Sequence, residues 1–215
     1  MLLNIAYISS FISALIYIIV YFKNYYEINL RYFAGYLFCV FFFEIIASYI
    51  PYENGNLLVY HILIFFEFNL LLLFFRDLLE SEKSKKIILK LFIIFNIVNV
   101  IANLYYYFSG IYFLEYNAIS SNFGAVLIVI ALFLYYKEFL ASNKILNYKK
   151  ILSFWIAFGL LLYYVGFIPF TAIINSLKNL SYELKINLFK IAYCLTIIMH
   201  SCFIFGALWS QKKVK

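Results

Sequence analysis

Seven times along this chain, a stretch of roughly 20 residues runs almost without charge, and each is as long as one crossing of a bilayer core about 30 Å thick requires of an α-helix rising about 1.5 Å per residue. The stretches cover residues 2–22, 32–50, 57–75, 87–108, 117–136, 152–174 and 186–209. In hydrocarbon the backbone must satisfy its own polar groups, and a helix does so within each segment. The sequence therefore predicts an all-α polytopic membrane protein with seven transmembrane helices forming one domain over residues 1–215. Composition excludes a soluble fold, because 67% hydrophobic and 13% charged residues leave too little polar surface to cover a core.

Lysine and arginine set the expected orientation, since cytoplasmic loops hold an excess of positive charge. Lys23 and Arg31 flank the first connection; Arg76, Lys83, Lys85, Lys86 and Lys90 flank the third. The fifth holds Lys137, Lys144, Lys149 and Lys150, and the tail carries Lys212, Lys213 and Lys215. Fourteen of the 17 basic residues thus fall on one side, against Lys178, Lys185 and Lys190 on the other. The N-terminus is expected outside and the C-terminus in the cytoplasm. A bias toward Phe, Ile, Tyr, Asn and Lys suggests a bacterial source, and so a multi-pass protein of the inner (plasma) membrane. The net charge of +7 is matched by anionic lipid headgroups, so membrane lipids rather than nucleic acid are the expected partners.

Residues 1–22 have no basic n-region and no small-residue cleavage site, so the first stretch reads as a retained helix rather than a signal peptide. Cys39, Cys194 and Cys202 are odd in number and all fall within spans, which gives neither a disulfide framework nor zinc spacing. They read as small core residues. Asn179-Leu180-Ser181 matches a glycosylation acceptor, a three-residue pattern common by chance. No connection is long enough for a soluble domain, so any output is expected to pass through a cytoplasmic protein partner at the lysine-rich face.

Ionisable residues at bilayer depth cost at least about 2.5 kcal/mol on insertion scales, so each demands a reason. Four stand out: Glu44, His61, Glu67 and His200. Helical rise puts Glu44 about 10 Å and His61 about 6 Å below the outer edge, a level at which the two are able to pair. Asn103 and Asn122 fall at the same level, completing an outer polar layer. Glu67, Asn96 and His200 come out about 15–20 Å deep, near the midplane, with Asn99 between the layers. Asn96, Asn99 and Asn103 are spaced three and four apart, which places them on one stripe that must face protein or water. Asn69, Ser120, Ser121 and the pair Tyr163-Tyr164 lie around them.

Two accounts compete for these groups. In the functional one, a polar cavity open to the outside uses Glu44, Glu67, His61 and His200, with Asn96, Asn99 and Asn103, to bind a small ligand or carry protons. In the other, they are interhelical hydrogen bonds, which are common for Asn and Ser in membranes. The asparagines suit the second account better. Lys190, one turn inside the last span, is placed to snorkel to the surface.

A metal-dependent hydrolase needs three or four converging ligands, whereas the two histidines sit on different helices and the four ionisable groups span about 15 Å in depth. With no catalytic constellation, metal set or cofactor motif, the chain is not expected to be an enzyme. A transporter often shows broken helices; Gly159, Gly166 and Pro169 cluster in the sixth span and allow a kink there. Short loops, an outward polar cavity and a lysine-rich face favour a sensor-like or interaction subunit, with a small-molecule or proton-coupled transporter as the alternative.

Three stretches carry a resemblance: Tyr60 to Phe68 with its aromatic-Glu pattern, the run from Phe154-Trp155-Ile156 through Tyr164-Val165-Gly166 to Pro169, and Met199-His200-Ser201 before Trp209 and the basic tail. On these the chain resembles an uncharacterised group of small bacterial seven-helix membrane proteins. The resemblance implies topology, no established activity, and Glu67 as the first position of interest.

Overall fold

A computed structural model describes residues 2–26, 28–50, 56–179 and 181–212, those at 177–179 by backbone alone. Lys213, Lys215, the Lys178 side chain and part of the Asn179-Leu180-Ser181 acceptor lie outside the described residues. Seven described helices are long and apolar enough to cross a membrane. They are α1 (Leu2–Phe22), α2 (Arg31–Tyr49), α3 (Asn56–Leu78), α4 (Glu82–Phe108), α5 (Ala118–Ala141), α6 (Leu152–Ile173) and α7 (Tyr182–Trp209). Two 3₁₀ segments, Asn143–Lys150 and Ile174–Asn179, flank α6.

The helices overrun the apolar stretches at several ends. α4 begins five residues before residue 87, taking in Lys83, Lys85 and Lys86, and α7 begins four before residue 186. Hydropathy marks the part of a helix that sits in hydrocarbon, while its hydrogen-bonded backbone continues into the interfacial zone. Local chemistry sets several boundaries. Asn117 Oδ1 accepts from the Ser120 amide at 3.0 Å to open α5, and Ser181 Oγ accepts from the Leu184 amide at 3.4 Å to open α7. Gly110 closes α4 at φ 71°, donating to the Tyr107 carbonyl while Ile111 donates to that of Tyr106, the two bonds of a left-handed C-terminal cap.

Six helices form a closed ring: α1 packs on α2, α2 on α3, α3 on α5, α5 on α6, α6 on α7, and α7 back on α1. α4 stands outside it against α3 and α5. Burial agrees, since 56% of the α3 span lies inside the protein and only 22% of the α4 span. The bulky residues α4 exposes, among them Ile97, Val100, Ile101 and Leu104, face the lipid solvent. Close approach of α6 and α7 depends on glycine: a Cβ on Gly159 would stand 3.0 Å from both the Met199 carbonyl oxygen and Cys202 Cβ. Gly166 meets Leu195 in the same way, and α6 runs unbroken to Ile173 with Pro169 inside it. Two of its glycines thus admit α7.

Bonds between connections gather four segments at one end. Asn29 donates to Asp77 at 3.1 Å, Lys144 pairs with Glu80, Tyr26 donates to the Ala207 carbonyl at 2.5 Å, and the Gln211 amide donates to that of Lys150 at 2.9 Å. This is the lysine-rich end. At the opposite end Asn175 and the Tyr116 backbone exchange two bonds, of 2.8 and 3.0 Å.

Candidate functional site

The half of the ring nearer the lysine-rich end is filled with aromatic rings. Phe33 lies 4.9–5.1 Å, centroid to centroid, from Tyr17, Phe74 and Phe203, edge-on to the first and last, and Tyr17 donates to the Phe203 carbonyl at 3.1 Å. All four are essentially inaccessible.

The other half is built differently. Glu67 projects from the middle of α3 and accepts a 2.7 Å hydrogen bond from the buried Tyr164 of α6. Glu44, near the far end of α2, lies within electrostatic reach of Glu67 and of Tyr7 on α1, Tyr60 on α3 and Tyr193 on α7. Tyr36, Tyr116 and Tyr163 lie within reach of Glu67. Groups on α1, α2, α3, α6 and α7 surround the two carboxylates, yet Glu44, Glu67, Tyr7, Tyr60, Tyr163 and Tyr193 are only half-buried. The two acids thus sit among helices on every side without being fully packed in. Among the described residues Glu44 has no hydrogen-bond partner, and neither acid is paired with a lysine, arginine or histidine.

His61 does not join this group. It is buried at 3% exposure on the α4 side of α3, with Nδ1 3.1 Å from Asn103 Oδ1 and Nε2 3.3 Å from the Glu115 carbonyl oxygen. The expected pairing with Glu44 therefore fails. His61 turns to α4, whereas Glu44 stands on α2, which packs on α1 and α3. The outer layer likewise divides, for Asn122 turns to α6 and accepts from Thr171 at 2.7 Å.

The asparagine stripe of α4 faces α3, as a stripe needing protein or water should. Asn96 and Asn69 exchange side-chain bonds of 2.7 and 3.2 Å, and each also donates to the carbonyl one turn back on its own helix. Asn103 donates to both oxygens of Asn99 while presenting Oδ1 to His61. Together these bonds fasten α4 to the ring, which apolar contact with lipid on its other sides would not do.

His200 lies on α7 against α1, 1% exposed. Ser13 Oγ lies 2.7 Å from His200 Nδ1 and 2.9 Å from the Ser10 carbonyl oxygen. Nε2 is buried and without a partner among the described residues. His200 thus stands apart from Glu67 and Asn96, with which it was expected to share a layer. Lys190 is exposed and donates to Asn187 at 3.3 Å, as a snorkelling lysine would.

Neither a protein-family model, nor a curated protein, nor a solved structure matches the chain. Residues and their geometry alone carry the functional reading. No three His, Cys, Asp or Glu side chains among the described residues converge as metal ligands. Of the seven expected site residues, Glu44 and Glu67 come within electrostatic reach of each other; His61, Asn99 and Asn103 form a second group, Asn96 joins Asn69, and His200 joins Ser13. Tyr7, Tyr36, Tyr60 and Tyr193 were not foreseen, and among 22 tyrosines nothing in the sequence marks them out.

Proposed function

We propose that this integral membrane protein is a receptor-type subunit that binds a small molecule in the space between Glu44 and Glu67 and passes the result to a protein partner at the lysine-rich end. The observation that carries the reading is the pair of carboxylates sharing one ring interior with no basic side chain against them. In a low-dielectric setting such a pair favours a ligand that brings positive charge or hydrogen-bond donors, and the surrounding tyrosine faces suit a cation as well. The excess of lysine and arginine supports a cytoplasmic placement of that end in a bacterial plasma membrane, so the ligand enters from outside. An unbroken α6 favours binding over transport through a broken helix. No group of side chains is assigned a catalytic role.

The test is native mass spectrometry of protein extracted from its own membrane, comparing wild type with Glu44→Gln and Glu67→Gln. Wild type is expected to retain a small molecule that both variants lose at unchanged melting temperature. Equal retention by wild type and variants, or no bound molecule in any of them, overturns the reading.

A further inference from the structure

At the lysine-rich end, opposite the two glutamates, lies a cavity of about 610 Å³, within the size range of small-molecule sites. It is bordered by every segment that reaches this end centrally: the α1–α2 connection, the ends of α3 and α5, the 3₁₀ segment Asn143–Lys150, the start of α6, and the tail. Its floor is apolar, with Phe139 and Leu152. Its polar lining carries three lysines, Lys144, Lys150 and Lys212, and two carboxylates, Glu80 and Glu138.

The charges within it are unequally matched. Glu80 is taken up by Lys144, and Glu138 accepts through Oε2 from the backbone amides of Glu80 and Ser81 at 2.9 and 3.4 Å, while its Oε1 is buried without a hydrogen-bond partner among the described residues. Lys150 and Lys212 have no carboxylate within ion-pair distance among the described residues. Lys212, exposed, has its Nζ 5.0 Å from the centre of the Tyr25 ring. Two further features favour negative charge. Ser153, 5% exposed, accepts from the Tyr135 hydroxyl at 3.0 Å, which leaves its own proton to donate. α6 begins at Leu152 behind Ile151, which supplies no side-chain cap; the Phe154 amide bonds the Ile151 carbonyl at 3.2 Å, and the positive end of this 22-residue helix borders the cavity.

We propose that this cavity binds a phosphate group, held by Lys150 and Lys212 with the Ser153 hydroxyl and the first turn of α6, over an apolar floor that accepts the glycerol and upper acyl portion of a lipid. The same chemistry serves an anionic phospholipid headgroup and a soluble phosphate, so the experiment has an arm for each.

In the first arm the full chain is placed in nanodiscs of mixed phosphatidylglycerol and phosphatidylcholine, and the lipids that stay bound are counted by native mass spectrometry. In the second it is placed in phosphatidylcholine alone, and inorganic phosphate is titrated and followed by phosphorus NMR. Each is run on wild type, on the double variant Lys150→Gln with Lys212→Gln, and on Lys83→Gln with Lys86→Gln, two exposed positions on α4 outside the cavity. A preference for phosphatidylglycerol that falls about tenfold in the cavity variant, and persists in the α4 variant, identifies the headgroup. Saturable phosphate binding lost only in the cavity variant identifies the soluble ligand. Equal losses in both variants, or no preference and no phosphate binding in wild type, overturn the proposal.

Discussion

The two halves of the six-helix ring are made from the same residue types and use them in opposite ways. Toward the lysine-rich end, Tyr17, Phe33, Phe74 and Phe203 are packed ring against ring with no access, and the Tyr17 hydroxyl is spent on a carbonyl. Toward the other end, Tyr7, Tyr60, Tyr163 and Tyr193 are half-buried around two carboxylates. One half is packed ring against ring; the other surrounds two carboxylates with side chains that keep partial access. The contrast indicates that tyrosine abundance in such a chain is not a single property. A phenol filling a packed layer contributes through area and van der Waals contact, while one bordering a gap keeps a polar group available.

The sharpest way to break the comparison is to damage each half by one substitution. Phe203→Ala empties the fully packed layer and is expected to cost about 3–5 kcal/mol, read as a shift in the detergent-induced unfolding curve. Glu44→Gln, in the open half, is expected to move the same curve by no more than about 0.5 kcal/mol, since it breaks no packed contact or hydrogen bond among the described residues. Comparable losses would mean that the space around Glu44 closes and that the two halves do the same work.

Tyr164→Phe probes the border between the halves. It removes the 2.7 Å bond to Glu67 while keeping the ring contacts, Phe68 among them at 5.9 Å. The expected cost is about 1–2 kcal/mol, with ligand retention reduced more than stability because Glu67 loses the group that orients it. A loss confined to stability would make Tyr164 part of the packed half only.

Sequence and structure agree on some levels here and part on others, for physical reasons. Apolar stretches reveal crossings because lipid accepts no unsatisfied backbone, so seven helices were legible without any neighbour being known. Rise per residue is fixed, so the sequence orders residues along each helix. Direction around the helix axis was not legible: each residue turns it by about 100°, and nothing in the sequence says which helix stands at which angle. Hence Glu44 and His61, expected at one level, turn to different neighbours, and His200, expected at the level of Glu67, does not meet it. Nor did the sequence show that α4 lies outside the ring, although its asparagine stripe was the trace of that position. A helix with one polar face toward protein and apolar residues elsewhere is what a peripheral helix requires.

That trace yields a smaller prediction. In a double-mutant cycle of Asn69→Leu and Asn96→Leu, the coupling energy is expected near 0.6 kcal/mol, the average for interhelical hydrogen bonds in a membrane. Coupling near zero would show that the two amides are satisfied by their own carbonyls at Phe65 and Phe92, and that α4 is held by packing alone.

The smallest effect lies outside the membrane and bears on the lysine-rich end. The Lys144 ammonium beside Glu80, by hydrogen bond and by charge, holds its carboxyl below the ordinary value of 4.5. A carboxylate depressed in the folded state adds stability that is fully present above its unfolded pKa and disappears as pH falls through the folded one. Both side chains are largely in solvent, 59% and 71% exposed, so the gain is discounted to about 0.3 kcal/mol. The difference in stability between wild type and Glu80→Gln should therefore be constant from neutral pH down to about 4.5, vanish below that, and be erased at roughly 1 M salt. A difference that survives both treatments would mean that Glu80 acts through something other than its charge, and that the end of the bundle bordering the phosphate cavity is tied by more than this ion pair.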